Sequence, residues 1–404
     1  MWRFQSVHER GETEYLDEAI KRLELDDSLL ARADAQLQAA CAQEPIIQAS
    51  LTTPQDHVHH AEGPFLDAHL RRMLVVLYAI VEEKLHLIDI EEFRRMKGYE
   101  GEIDELEEMM KEKLAFFETF ILVHDVAKGH AITFSCPSDS RGARYGLVSQ
   151  TLTDPVVDEA QRQNLLEQYR QLFQRFRADH PTLGDREAQK AFCESLEIRL
   201  SYPHHDRMMY APVQHDLLKR VAEAHELSDR DASMLCEIVA RHLEFEAFHR
   251  VNISMVHWLL HLARAHEYDG DDFLDIVDGC IFLDWVCGSM RTTPNGTTHE
   301  GGYLLNVLIA EHQLMPERRL EAYQQRERKQ QALRHRYFQE AGLDGTALMQ
   351  LLQMKPGPQF GKTLRHIQEA ILGEGEMPEL GPAVTKELEE RSLMFYRKMF
   401  VKGD

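Results

Sequence analysis

Residues 120–128 read Phe-Ile-Leu-Val-His-Asp-Val-Ala-Lys, an apolar helical run that carries the doublet His124-Asp125. An ionised aspartate beside an imidazole is costly to bury in such surroundings unless a cation or hydrogen bonds compensate it. A divalent metal would do so. The competing reading is a helix boundary that turns Asp125 toward water, where most aspartates sit.

Outward from this run, apolar residues recur at helical spacing, and alternating Val/Ile/Thr stretches bounded by turns are nearly absent, so the expectation is an all-α fold. Residues 1–52 read as a helical extension whose stripe is Leu16, Ile20, Leu23, Leu29, Leu30 and Leu37. The turn at Thr53-Pro54 opens a main domain expected over 53–300, with a first core helix from about Leu66 to Leu85. Two insertions interrupt it. Residues 89–113 are acidic with Glu/Lys pairs at i,i+4 and read as a solvated helix or hairpin. Residues 130–210 hold a Gly/Ser/Pro loop and then a polar Gln/Arg-rich helix over 158–178. Residues 301–404 are expected to form a C-terminal helical region.

The chain of 404 residues carries 46 Lys and Arg against 68 Asp and Glu, a net charge of -22. As a whole it repels nucleic acid and anionic membrane, so a bound phosphate needs a local site. The six cysteines lack Cys-x-x-Cys spacing, which argues against a zinc ribbon or a disulfide framework. The opening Met-Trp-Arg-Phe-Gln-Ser has no signal-peptide core, and no window approaches about eighteen apolar residues. A soluble, cytoplasmic protein with no membrane partner is expected.

Candidate ligands surround the doublet in sequence. His69 opens an apolar helix, and His215 follows Pro212 in a helix continued by Leu217, Leu218, Val221 and Ala222. Ser228 is the expected N-cap of the next helix, where Met234, Leu235, Ile238, Val239 and His242 share one face. Asp284, in Cys-Ile-Phe-Leu-Asp-Trp-Val-Cys-Gly, has the most apolar setting of the late carboxylates, with Asp278 as its competitor. His204-His205-Asp206 could take the place of His215, and His257 with His261 forms an i,i+4 pair able to chelate. Lys128, four residues after His124 and therefore on the same helix face, is a candidate for binding phosphate, as are Arg141 and Arg144 in the loop after the doublet.

The order His69, His124-Asp125, His215, His242, Asp284 resembles the HD superfamily of metal-dependent phosphohydrolases, over about residues 57 to 290. The resemblance implies an α-helical domain in which His69, His124, Asp125 and Asp284 hold one divalent metal, and Asp125, His215 and His242 can hold a second. It does not separate Mn, Mg, Fe, Ni, Co and Zn. Two departures stand: the stretch between His69 and His124 is long, and Leu243 follows His242 where a further His is usual. His60-Ala-Glu-Gly-Pro-Phe-Leu-Asp-Ala-His69 resembles the approach to the first His in HD domains of bacterial tRNA nucleotidyltransferases, and Leu351 to Glu376 is similar to their C-terminal tail. The Gly-Ser strand with paired aspartates that nucleotide addition requires is missing, so nucleotide polymerisation is not expected.

The expected activity is hydrolysis of a nucleotide, cyclic phosphate or RNA-terminal phosphate, with Asp125 as ligand and proton acceptor and Lys128 stabilising developing charge. RNA is a candidate partner through Arg318, Arg319, Arg326, Arg328, Lys329, Arg334 and Arg336, although interleaved glutamates also suit a solvated helix. The alternatives are a di-iron HD-type oxygenase and a non-catalytic sensor that binds a nucleotide or RNA.

Overall fold

The structure, a computed structural model, describes residues 14–60, 62–96, 99–147, 159–243, 253–293, 296–312, 335–371, 377–378 and 380–401. It is all-α apart from two small two-stranded ribbons. No described helix is long and apolar enough to cross a membrane. The chain divides into two units, Met1–Gln313 and Leu314–Asp404.

Helices α1 (Leu16–Leu23) and α2 (Asp27–Gln43) start the first unit. Asp26 caps α2 by accepting hydrogen bonds from the Ser28 and Leu29 amides. Leu16, Ile20, Leu23, Leu29 and Leu37 are buried in one core with α3 (Leu66–Val81), so this region is packed into the main body rather than appended to it. Helix α3 is buried on nearly every side and ends at Glu82, before Glu83 enters the left-handed region at φ 57°. That break shortens it relative to the expected end at Leu85.

The acidic stretch is a helix, one of the two forms expected of it, but it is not wholly solvated. Helix α4 (Glu100–Glu112) buries Ile103, Leu106 and Met110, three apolar residues at i, i+3 and i+7, against the core. Its dense charge obscures this narrow stripe in the sequence. Helix α5 (Leu114–Val123) follows and stops at the doublet.

The insertion at 130–210 folds around its own small core. Strands β1 (Thr133–Ser135) and β2 (Arg199–Ser201) pair antiparallel with Phe134 opposite Leu200. Helices α6 (Glu159–Asp179) and α7 (Asp185–Leu196) pack over them, with Phe134, Tyr169 and Phe192 in ring contact. The ribbon brings the end of the insertion back beside its start.

Helices α8 (Pro212–Ala224) and α9 (Asp229–Val239) form as their sequence signals suggest: Pro212 lies at the first turn of α8, and Ser228 caps α9 by accepting from the Asp231 amide. Helices α10 (Ile253–Ala265) and α11 (Gly270–Trp285) follow. Gly279 lets α11 approach α5, since a Cβ there would lie 2.7 Å from a ring carbon of Phe117. Ribbon β3–β4 (Met290–Thr293, Gly296–His299) leads into α12 (Glu300–His312), which packs on α11 and belongs to the first unit, contrary to the expected boundary at 301.

The second unit has a core of Phe338, Leu343, Leu348, Phe360, Ile367, Ile371, Leu388 and Phe395. It holds α13 (Gly345–Leu352), α14 (Pro358–Ile371) and α15 (Pro382–Val401). Pro358 starts α14, and Gly361 on it is exposed with open space around it. Arg318 to Arg334 of the basic stretch, and Gly373, lie outside the described residues; Arg336 is exposed and paired with Glu340.

Candidate metal centre

The doublet lies where α5 ends. His124 is the C-cap residue, Asp125 begins a turn, and a short helical turn restarts at Lys128–Ala131. The helix does not continue through the doublet, so Lys128 does not share the His124 face. Its Nζ instead lies 2.6 Å from Asp125 Oδ2, in a three-residue return closed by the Lys128 amide donating to the Asp125 carbonyl at 2.9 Å. Lys128 Nζ also lies 3.2 Å from Gln55 Oε1 and 3.1 Å from His60 Nε2.

Four elements deliver the neighbours. His69 comes from the first turn of α3 and Asp284 from the last turn of α11, while His242 follows α9 and His205 follows β2. His69 Nε2 is 3.2 Å from His124 Nε2, 3.4 Å from Asp125 Oδ2 and 3.3 Å from Asp284 Oδ1. On the other side of the aspartate, His205 Nε2 is 2.9 Å from Asp125 Oδ1 and 3.1 Å from His242 Nε2. The two groups therefore meet at Asp125, one at each carboxylate oxygen. Each could hold a metal ion, the first through His69, His124, Asp125 and Asp284, the second through Asp125, His205 and His242.

The ring orientations suit that role. The Nδ1 atoms of His124, His205 and His242 face the carbonyls of Ile121, Tyr202 and Val239 at 3.1, 2.8 and 2.7 Å, and His69 Nδ1 faces Glu62 Oε1 at 3.0 Å. These acceptors assign the proton to Nδ1 in each ring, which aims the Nε2 lone pairs at one another and at the carboxylates. Lone pairs so placed repel unless a cation lies among them. Fixing imidazoles through the remote nitrogen is also how metal ligands are oriented. Asp125 Oδ2 is buried with the Lys128 ammonium 2.6 Å away as its counter-charge.

Protonation preferences express the same demand for positive charge. Burial disfavours the charged His69 ring, yet Cys287, Asp284 and Glu62 outweigh it and raise its pKa well above the ordinary value. Burial would raise the carboxyls of Asp125 and Asp284, but Lys128 and His124 hold the first, and His124 and His69 the second, well below the carboxylate range. Burial pulls His205 down, whereas Asp125 overcomes burial at His242 and raises it.

Most of the sequence candidates converge, and the exceptions are informative. His215, on the first turns of α8, is not in either group, and His205 stands where it was expected. The residues of the helix are as anticipated, but the β1–β2 ribbon returns the chain at Tyr202, so that His205, the second of the two imidazoles that follow, reaches Asp125. Tyr202 helps to seat that return by donating its hydroxyl to the Pro54 carbonyl. Asp278 is buried outside both groups, His204 is exposed, and His261 is exposed on α10. Arg141 and Arg144 are exposed on a short turn capped by Ser140 and do not line the cleft above the centre. Glu62 is a residue that sequence reasoning missed. Its Oε1 accepts from both His69 and His60, each at 3.0 Å. Its only sequence signal is a carboxylate seven residues before His69.

A small cleft of about 60 Å³ lies over the centre, lined by His60, Asp125, Lys128, Asp284, Trp285 and Glu300 among others. A larger hollow lined by Gln36, Glu118 and His225 holds none of the converging ligands. The fold and site thus define an all-α protein with buried His/Asp groups that could hold a metal ion. No protein-family model matches the chain, and no curated protein or solved structure matches it.

Proposed function

We propose that this protein is a metal-dependent phosphohydrolase or phosphodiesterase acting on a nucleotide, cyclic phosphate or RNA-terminal phosphate. The observation that carries the reading is Asp125, whose two carboxylate oxygens each face a separate set of imidazoles beneath an open cleft. A divalent metal bound there would supply Lewis acidity toward phosphoryl oxygens and a water acidified from about 15.7 toward about 7. Asp125 would bridge the two sites, and Lys128, held by Asp125, Gln55 and His60, would present its ammonium to a phosphoryl oxygen. The carbonyls of Ile121, Tyr202 and Val239, with Glu62, keep the four rings in register.

Elemental analysis of the purified protein, with a phosphatase screen over nucleotides, 2′,3′-cyclic phosphates and dinucleotides in each divalent metal, tests the reading. The Asp125→Ala variant should lose both metal and turnover while remaining folded; full activity in that variant would refute it. The four-histidine ligand set favours one second reading, a di-iron centre that activates oxygen. Iron content together with oxygen consumption, and no phosphate release, would select it.

A further inference from the structure

The cleft is electrically asymmetric. Lys128 and the metal-ligand groups line it, and so do Glu300, the first residue of α12, and Trp285, the last residue of α11. A carboxylate in the first turn of a helix is favoured by the helix dipole, which accounts for Glu300 as a residue type. It does not account for its placement. Glu300 lies against Gly288, where a Cβ would come within 2.7 Å of Glu300 Oε2 and 2.9 Å of its Cβ. Only glycine at 288 leaves the carboxylate in this position without a shift. The Glu300 amide donates to the Ser289 carbonyl at 3.2 Å, fixing the start of α12 next to the cleft. Among the described residues, no partner engages the Glu300 carboxylate.

A cleft serving only to gather anions would repel them from such a carboxylate. A carboxylate and an indole together are instead suited to a nitrogen that is cationic or carries N–H donors. We propose that Glu300 and Trp285 form a specificity subsite, and that the ligand is a phosphate ester whose organic group presents an ammonium or amino nitrogen to Glu300. This rests on the reading above in that the phosphate end is assigned to the metal and Lys128. The metal and Lys128 then recognise the phosphate, and Glu300 with Trp285 selects what is attached to it.

Two matched pairs test this and separate its two sources: 2-aminoethyl phosphate against ethyl phosphate, and adenosine against purine riboside 5′-monophosphate. Dissociation constants are measured by calorimetry on the full chain with and without Mn²⁺. In at least one pair the nitrogen-bearing member should bind about tenfold more tightly or better, the range expected of a charge-assisted hydrogen bond. Glu300→Gln should bring that ratio to within about twofold, the loss falling on the nitrogen-bearing member, since a neutral amide makes the weaker bond. Gly288→Ala, which displaces Glu300 without removing it, should lower the same ratio. Equal binding within both pairs, a ratio that survives Glu300→Gln, or no binding of any member overturns the proposal. If the ratios hold but no phosphate is released, the subsite stands and the hydrolase reading fails.

Discussion

Replacing Glu62 by Gln isolates the contribution of a residue that lies outside the two ligand groups sharing Asp125, although with His60 and His69 it forms a third group able to hold a metal ion. Its Oε1 accepts from His69 Nδ1 and His60 Nδ1, both at 3.0 Å, and the side chain is buried. Hydrogen bonds to charged groups contribute about 1.5–3 kcal/mol and neutral ones about 0.5–1.5, so neutralising the acceptor removes about 1–1.5 kcal/mol from the His69 contact. Only that contact bears on a ligand of the two groups sharing Asp125. The expected result is about a tenfold rise in the metal dissociation constant, at the lower end of the 10–100-fold range for outer ligands' partners. A competition titration of Mn²⁺ or Zn²⁺ against a chromogenic chelator reads this directly, and circular dichroism checks that the helices persist. Unchanged affinity, within about twofold, in a folded Glu62→Gln protein would refute the argument that Glu62 orients His69.

Metal removal should destabilise the first unit: at a free metal concentration 100 times the dissociation constant, binding contributes about 2.7 kcal/mol, so EDTA should lower the unfolding midpoint by several degrees. Gly279→Ala should cost about 1–3 kcal/mol in urea unfolding, because the added Cβ would lie 2.7 Å from Phe117. It should also weaken metal binding, since the same helix carries Asp284. His299 is buried, and burial lowers its pKa from 6.5 to about 4. Its depressed folded-state pKa means that the unfolded chain takes up the proton first as pH falls, so stability is lost between about pH 6.5 and 4. The loss should reach about 2–3 kcal/mol by pH 4.5. Urea midpoints of the metal-free protein at pH 7 and 4.5 should show it, and His299→Gln should reduce the difference; an identical acid loss in that variant would exclude His299 as the cause.

Much of the fold follows from local pattern. The caps at Ser228 and Pro212, the stripe Met234, Leu235, Ile238 and Val239, and the apolar run 116–123 all specify helices through neighbours three and four residues away. The stripe of α4 was obscured because charge dominates its composition, although Ile103, Leu106 and Met110 suffice to bury one face. The sequence left open whether the doublet lies within the helix or at its boundary, because the apolar run continues to Ala127. No residue there breaks a helix by itself, and the Lys128 to Asp125 return is a local, three-residue contact with no sequence signal of its own.

By itself, then, the sequence determined the all-α class, the helices that carry His69 and Asp284, the helix that leads to His242, and the chemical improbability of His124-Asp125 in an apolar run. Those properties depend on periodicity and on desolvation cost, both of which act along a single segment. Tertiary structure alone decided that His205, rather than His215, reaches Asp125. The choice depends on an antiparallel ribbon closing residues 133 to 201, a pairing between segments that no local periodicity encodes. It also decided that Glu62 would anchor the His60 and His69 rings, through a turn that no periodicity encodes, and that Glu300 would line the cleft, because packing brings its helix to the site from far along the chain.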